Sequence, residues 1–179
     1  MKQVADGVWR LTGGFPLRVN SYLVRDGDGV AVFDSGIRSM GSSIRDAAAE
    51  LGAATRVVIG NAHGDHRGGA SAIGAPVQCH AGERVGEFEV VHLPGHGPGC
   101  IGLWRDRDRV AITNDCFALF DPDLPRPGKP RVPHPAFNWS TDAARESIRK
   151  LAALEPSTCL PGHYGPLTGD VRAQLEAVE

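Results

Sequence analysis

The chain has 179 residues, of which 41% are hydrophobic and 22% are charged, and its formal net charge is -2. This is the composition of a globular protein with one sizeable core, so we expect a single domain over residues 1–179. The small negative charge argues against a nucleic-acid-binding protein, which needs an excess of lysine and arginine.

The location of the protein is predicted from what its sequence lacks. No apolar run has the length of a membrane-spanning helix, and the N-terminal residues have no apolar stretch of the kind found in secretory signals. We therefore expect a cytoplasmic protein with no membrane partner. The four cysteines form no Cys-x-x-Cys pair, which argues against a zinc ribbon, and a reducing compartment disfavours disulfides.

The first third of the chain predicts an antiparallel meander followed by a helix. Short strands are expected at residues 8–12, 20–24 and 30–33, and the third is apolar throughout, which indicates burial on both faces. A helix is expected at 42–51, with Ser42 or Ser43 as its N-cap. The apolar run at 56–59 predicts the next strand.

The rest of the chain again predicts strands followed by helices. Strands are expected at 76–79, 87–93, 101–104, 110–113 and 157–160. A helix capped by Thr141-Asp142 is expected to have apolar positions at helical spacing, Ala144, Ile148, Leu151 and Leu154, and a short helix is expected at 171–177. Residues 121–139 contain six prolines, which exclude a helix or a central strand and predict an extended loop. This succession predicts an α+β protein with two packed sheets and helices outside them.

Side chains that can bind a metal follow the ends of several predicted strands. They are His63, Asp65, His66, His96, Asp115 and His163. Imidazole nitrogen and carboxylate oxygen are ligands that zinc favours, and catalytic zinc sites leave one coordination position open. Four histidines and two aspartates are enough for two metal sites.

The motifs around these residues resemble those of the metallo-β-lactamase superfamily. The matching stretches are Asn61-x-His63-x-Asp65-His66, Gly95-His96-Gly97-Pro98-Gly99, Asn114-Asp115-Cys116-Phe117 and Pro161-Gly162-His163-Tyr164. The resemblance covers essentially the whole chain. It implies a four-layer αββα sandwich with the metal centre at one edge of the two sheets.

The resemblance also implies a role for each ligand. His63 and His96, together with Asn61, would form the first metal site. The second site would consist of Asp65, His66 and His163, and Asp115 would bridge the two sites. True β-lactamases lack a histidine at the position of His66 and generally have cysteine at that of Asp115, so the chain is more similar to glyoxalase II-like hydrolases and lactonases. Cys116 is interpreted as a packing residue.

The implied activity is zinc-dependent hydrolysis of a small-molecule ester, thioester or lactone. A metal-bound hydroxide would attack the carbonyl carbon, and Asp65 would hold the attacking water as the catalytic residue. One alternative is a mononuclear iron redox enzyme with the same fold. Another is a metal-binding protein with weak catalysis. The short C-terminus leaves no room for a separate helical substrate domain, which argues against a glutathione thioester.

Asn61 is the departure from the family pattern, which has histidine at this position. An amide oxygen is neutral and binds zinc more weakly than imidazole does. We therefore expect one or two zinc ions per chain, with the second site tight and the first weak or empty.

The sequence leaves several other polar and aromatic residues with more than one interpretation. Arg126, Lys129 and Arg131 are either a solvated face or a site for a substrate carboxylate or phosphate. Four aromatic residues either pack in the core or line the substrate pocket, namely Phe117, Phe120, Phe137 and Trp139. Asp34 is expected to support a metal-binding histidine. No ligand motif surrounds His80, His92 or His134, so we expect His92 to be structural and His134 to be solvated.

Overall fold

The computed structural model describes residues 1–78, 83–120 and 126–178, and its strands form two large sheets and one small one. The first sheet contains, in spatial order, β1 (Lys2–Ala5), β2 (Val8–Gly13), β3 (Val19–Asp26), β4 (Gly29–Phe33), β5 (Ala54–Val58) and β6 (Val77–Gln78). The second contains β13 (Thr158–Pro161), β10 (Val110–Asn114), β9 (Ile101–Arg105), β8 (Phe88–His92) and β7 (Arg84–Val85). The small sheet pairs β11 (Ala118–Phe120) with β12 (Pro127–Arg131).

The helices lie between and after these strands. They are α1 (Gly41–Ala49), α2 (Gly64–Arg67), α3 (Ala70–Ile73), α4 (Thr141–Ala153) and α5 (Val171–Glu176). The longest, α4, has Ala144, Ile148 and Leu151 buried at helical spacing, as the sequence predicts. None of the helices in the described residues is long and apolar enough to cross a membrane.

Each large sheet contains a pair of parallel strands, and the loops that follow each pair leave the sheet at the same edge. The strands β2 to β4 form the predicted antiparallel meander and β1 pairs with its outer strand, whereas β4 and β5 are parallel neighbours. In the second sheet, β10 and β13 are also parallel. Parallel neighbours end at the same edge of a sheet, so the loops after β4 and β5 lie together, as do those after β10 and β13.

The core divides into three layers of buried side chains, and this confirms the αββα sandwich. Successive residues of a strand face opposite sides of a sheet. Accordingly, Ala31 and Phe33 of β4 pack in the central cluster, which also contains Leu103 and Ile112 of the second sheet. Val30 and Val32 face the other way and pack with α1 and α3. A third cluster joins the outer face of the second sheet to α4 and α5.

Both predicted helix caps are wrong. The first helix begins at Gly41 after Met40, and no side chain caps it, so neither Ser42 nor Ser43 has that role. In α4 the cap is Ser140, whose Oγ accepts a hydrogen bond from the backbone N–H of Ala143 at 3.2 Å. Thr141 is already helical, which places the cap one residue earlier than the sequence indicates.

The sequence also did not predict strand β1, which pairs with β2 at the edge of the first sheet.

The proline-rich segment is more regular than the predicted extended loop. Pro127 and Pro130 lie in β12, which pairs with β11 in a sheet of only two strands. Proline cannot donate a backbone hydrogen bond and is therefore tolerated at such an edge. A short 3-10 turn follows at Pro135–Phe137. Residues 121–125, and Cys79 of the predicted strand at 76–79, lie outside the described residues.

Substitution of Leu151 by alanine tests the packing of α4 on the second sheet. Its side chain is 1% exposed, so Leu151→Ala should lower the free energy of unfolding by about 2–5 kcal/mol. Arg149 on the exposed face of the same helix provides the control, and Arg149→Ala should change this free energy by less than about 0.5 kcal/mol. Urea denaturation measures both values. Equal stability of the two variants would contradict the layer assignment.

Candidate metal centre

The candidate ligands are placed at one edge of the sandwich by the loops that follow the strands. The loop after β5 and the short helix α2 supply His63, Asp65 and His66. The connection between β8 and β9 supplies His96, while Asp115 directly follows β10 and His163 follows β13. The topology therefore brings together residues that are up to 100 positions apart in the sequence.

Asp65, His66 and His163 form a group whose potential ligand atoms all lie within 4.8 Å of one another. Nε2 of His163 is 3.4 Å from Oδ2 of Asp65, and Nε2 of His66 is 3.9 Å from Oδ1 of the same carboxylate. These three residues are the predicted second site. The donor set, two imidazoles and a carboxylate, matches the open three-ligand pattern of catalytic zinc sites.

Asp115 lies among the histidines of both predicted sites. One of its carboxylate oxygens, Oδ2, is 2.9 Å from Nε2 of His66 and 3.5 Å from Nε2 of His96. The other, Oδ1, is 3.8 Å from Nε2 of His163. The structure therefore brings the Asp115 carboxylate close to histidines of both predicted sites.

The orientation of His66 fits a metal ligand. Its Nδ1 is 2.8 Å from Oδ2 of Asp34, which can only accept, so the ring proton lies on Nδ1. Nε2 is then an acceptor whose buried neighbour at 2.9 Å, Oδ2 of Asp115, is an acceptor as well, and no donor bonds to it in the described part of the chain. A buried polar atom without a partner is costly, and a cation at the centre of the ligand group would satisfy it.

Two further histidines are held in the same tautomer by protein oxygen atoms. Nδ1 of His163 donates to the backbone oxygen of Leu17 at 3.0 Å, and Nδ1 of His96 lies 3.2 Å from Oδ1 of Asn138. Each ring thus directs its Nε2 toward the carboxylates of the centre. Outer contacts of this kind fix the orientation of metal-binding histidines and raise their basicity.

Asp34 has the supporting role that the sequence predicts, and Asn114 shares it. The Asp34 carboxylate accepts hydrogen bonds from the backbone N–H of Gly60, from the His66 ring and from Nδ2 of Asn114. Oδ1 of Asn114 accepts from the backbone N–H of Asp115, so Asn114 connects the two acidic residues. Sequence reasoning missed Asn114, although its place directly before Asp115 in the motif was a usable signal.

The surroundings of the three aspartates shift their pKa values in different directions. Burial raises the pKa of Asp34 despite the nearby His66 ring. Burial would also raise the pKa of Asp115, but His66, His163 and His96 together hold it well below its usual range. The hydrogen bond with His163 lowers the pKa of Asp65. Asp65 and Asp115 are therefore ionised at neutral pH, as metal binding requires.

Both polar atoms of the buried Asn61 side chain are already engaged within the protein. Oδ1 accepts a hydrogen bond from the backbone N–H of His63 at 3.1 Å, and Nδ2 donates to Oδ2 of Asp115 at 2.9 Å. Exchanging the two ends would put the amide oxygen against a carboxylate, so this orientation is the favourable one. The His63 ring lies edge-on to His96, with ring centroids 4.6 Å apart.

A cavity of about 470 Å³ opens directly onto this centre. Its lining includes the five residues His63, Asp65, His96, Asp115 and His163. The remaining lining residues are Leu17, Phe117, Ala118, Phe120, Pro133, His134, Phe137 and Tyr164. This volume lies within the range of sites that bind small organic ligands.

The lining of the cavity shows which aromatic and basic residues in and near the proline-rich segment can face a bound substrate. Phe117, Phe120 and Phe137 line it, whereas Trp139 is 65% exposed and does not. The lining also excludes the cluster of Arg126, Lys129 and Arg131. His134 is exposed, as the sequence predicts, although it also belongs to the lining, and its Nδ1 accepts a hydrogen bond from the backbone N–H of Ala136.

Other predicted residues lie away from the metal centre. The ring of His92 bonds to the backbone oxygen of Pro98 at 2.9 Å, a structural contact within the loop that presents His96. Cys116 is buried in the cluster beneath α4 and α5, where burial raises the pKa of its thiol, in keeping with a packing role. His80 lies outside the described residues.

The family model for the metallo-β-lactamase superfamily matches residues 14–82 and 80–163 of the chain. The chain belongs to this superfamily. The matched residues span every candidate ligand.

Individual relatives from Bacillus subtilis are similar over parts of the chain. The probable metallo-hydrolase YflN is 38% identical over 88 residues, which cover 46% of this chain and 33% of YflN. The probable metallo-hydrolase YybB is 26% identical over 63% of this chain and 69% of YybB. The aligned part thus spans about one third of YflN.

A solved structure shares the fold over nearly the full length. The metallo-β-lactamase from Erythrobacter litoralis, determined with β-mercaptoethanol in its active site, aligns with 97% of this chain and 92% of its own, with a TM-score of 0.74 and 20% identity. This likeness supports the superfamily fold.

Gly162 tests whether the ligands are packed closely enough to form the centre. A methyl group at Gly162 would lie 2.5 Å from Oδ1 of Asp115 and 2.7 Å from Cε1 of His66, so Gly162→Ala must displace both side chains. We expect Zn²⁺ affinity to fall by roughly 10- to 100-fold, as when outer contacts of metal ligands are lost.

The control for this substitution is Gly99→Ala in the loop that carries His96, since a methyl group there meets no atom within 4 Å. Its Zn²⁺ affinity should equal that of the unmodified protein. Competition with a chromophoric chelator measures the affinities, and circular dichroism checks the fold. Unchanged affinity in a folded Gly162→Ala variant would show that the centre does not need this packing.

Proposed function

We propose that the chain is a metal-dependent hydrolase that acts on a small ester, thioester or lactone. The observation that carries the proposal is the group of Asp65, His66 and His163, in which the buried Nε2 of His66 faces the Asp115 carboxylate at 2.9 Å and has no donor partner. The names of YflN and YybB, both probable metallo-hydrolases, support it. We further propose zinc as the metal, a cytoplasmic location and a single domain over residues 1–179.

The residues of the second site would hold the ion, and Asp115 would extend toward the first site. A divalent ion bound there supplies a Lewis acid that polarises a carbonyl group and makes a water molecule more acidic. The protein contributes orientation, because Leu17, Asp34 and Asn138 fix the rings of His163, His66 and His96. Substrate enters through the cavity that these ligands line.

Asp65 is the proposed catalytic residue. Its side chain is 29% exposed and lines the cavity, so one carboxylate oxygen can accept a hydrogen bond from a water molecule placed beside a substrate. The hydrogen bond with His163 lowers its pKa and keeps it ionised, so it is able to hold the proton of that water. This is how Asp65 would orient the attacking water.

Within the superfamily, we propose the glyoxalase II-like branch. The basis is the presence of His66 and Asp115, since the resemblance gives true β-lactamases neither residue at these positions. Nδ1 of His66 also bonds to the buried carboxylate of Asp34, an arrangement typical of metal-binding histidines. This contact supports a ligand role for His66.

A hydrolysis screen with purified, zinc-loaded protein tests the activity. Aryl esters, thioesters, lactones and β-lactams are offered, and we expect turnover of at least one of the first three. A chelator should abolish this turnover and added Zn²⁺ should restore it. Asp65→Asn should lower kcat by roughly 10²- to 10⁴-fold, the usual contribution of a positioned acid or base.

Metal content is measured alongside, because Asp65 is also a proposed ligand. Zinc-loaded protein that hydrolyses none of these substrates would refute the hydrolase and leave a metal-binding protein. Tightly bound iron with a visible absorption band and a redox response would instead support the mononuclear iron enzyme.

We also propose that the second site is tight and the first site weak. Support comes from Asn61, whose oxygen is occupied by His63 N–H and whose nitrogen donates to Asp115. Binding an ion through the amide oxygen would break the first of these bonds. In this arrangement only His63 and His96 remain as nitrogen ligands for the first site.

Asn61→His should therefore raise the number of tightly bound zinc ions from one toward two. Loss of a contact outside the ligand shell already changes metal affinity roughly 10- to 100-fold, so a new imidazole ligand should strengthen the first site by at least that factor. Equilibrium dialysis with elemental analysis gives the stoichiometry. Asn61→Ala is the control and should retain one ion; two tight ions in the unmodified protein would disprove the weak first site.

A further inference from the structure

The cavity beside the metal centre is lined by candidate ligands and, for most of the remainder, by apolar residues. The ligands in the lining are His63, Asp65, His96, Asp115 and His163. The other lining residues are the apolar Leu17, Phe117, Ala118, Phe120, Pro133 and Phe137, together with His134 and Tyr164. A substrate whose reacting carbonyl lies at the ligands must therefore place the rest of its structure against hydrocarbon and aromatic surface.

No lysine or arginine lines the cavity among the residues that the structure describes. Residues 121–125, which lie outside the described part of the chain, are Asp-Pro-Asp-Leu-Pro in sequence and contain no cationic side chain. The basic cluster of Arg126, Lys129 and Arg131 is not part of the lining. A carboxylate or phosphate at the end of the substrate remote from the metal would thus be taken from water without a lysine or arginine partner, which is strongly unfavourable.

Two large apolar side chains at the rim are exposed to solvent. Leu17 is 57% and Phe137 is 66% exposed, although both line the cavity. Covering such surface with an apolar ligand is favourable, at a strength that grows with the area removed from water. An apolar ligand in the cavity would remove the side chains of Leu17 and Phe137 from water, which is favourable compared with a water-filled cavity.

Both rim residues are held at fixed positions relative to the metal ligands. The backbone oxygen of Leu17 accepts the hydrogen bond from Nδ1 of His163. Phe137 directly precedes Asn138, whose side chain bonds to the ring of His96. The distance from the rim to the reacting centre is thus set by the same contacts that orient the ligands.

We propose that this cavity binds an uncharged, apolar acyl group of the substrate, and that Leu17 and Phe137 determine the preferred length of that group. The inference rests on the proposed hydrolase function and narrows its substrates to neutral acyl esters, thioesters or lactones. Substrates with a charged acyl end are excluded by the lining.

A series of 4-nitrophenyl esters tests the acyl preference in the zinc-loaded protein. From acetate to hexanoate, kcat/KM should rise roughly fourfold for each added methylene, as full burial of that group predicts. Mono-4-nitrophenyl adipate has the same chain length as the hexanoate but ends in a carboxylate. Its kcat/KM should be at least roughly 100-fold lower, because the carboxylate finds no cation.

Two pairs of neighbouring residues provide variants and controls. Leu17→Ser and Phe137→Ser should flatten the dependence on acyl length, while the bonds of the Leu17 backbone oxygen and of the Asn138 side chain to the ligand rings remain. Phe15 and Trp139 are 88% and 65% exposed, lie two residues away and do not line the cavity. Phe15→Ser and Trp139→Ser should therefore leave the dependence unchanged.

Binding of the neutral fluorophore N-phenyl-1-naphthylamine gives a readout that needs no turnover. Its affinity should fall at least fivefold in Leu17→Ser and Phe137→Ser but not in the two controls. If no ester is hydrolysed yet the fluorophore binds in this way, the hydrolase proposal fails and the apolar cavity stands. If esters are hydrolysed with no dependence on length, or the adipate is preferred, the apolar acyl site is overturned and the hydrolase stands.

Discussion

The buried carboxylate of Asp34 is the interaction on which the metal centre depends. It follows β4 in the first sheet and receives hydrogen bonds from Gly60 after β5, from the His66 ring and from Asn114 at the end of β10 in the second sheet. A buried carboxylate is unfavourable unless several donors satisfy it, so these contacts form together or not at all. One side chain thereby fixes the two sheets and a metal ligand relative to one another.

The same constraint explains why the centre lies at a sheet edge. Each ligand follows a strand whose backbone is fixed by hydrogen bonds on at least one side, so the loops begin from rigid positions. Small residues allow the close approach that this requires. At Gly69, for example, an added methyl group would come within 2.3 Å of the backbone oxygen of Ser35. The position of α2 and its ligands thus follows from backbone packing.

Periodicity and motif order were enough to predict the sandwich and the set of residues that meet at its edge. The four apolar residues after Gly29 indicated a strand buried on both faces, and Val30 to Phe33 do pack into two different core layers. Helix caps and the β11–β12 hairpin were missed, because each depends on a contact or pairing that local composition does not specify. The bonds of Asn61 and the lining of the cavity depend on residues distant in sequence, such as Asp115 and Leu17.

Asn61 shows how one position can change a centre without removing it. An imidazole at this position offers a lone pair to a cation, whereas the amide donates a hydrogen bond to Asp115 and accepts one from His63. The donated bond brings the partly positive amide hydrogen of Asn61 against Oδ2 of Asp115, the carboxylate oxygen that lies nearest to His66 and His96. Asn61 therefore engages the oxygen of Asp115 that also lies beside His66 and His96, whereas the other oxygen lies toward His163, 3.8 Å from its Nε2. The amide thus puts two hydrogen bonds within the protein in the place of a possible metal ligand, and one of them is made to the carboxylate that lies among these three histidines.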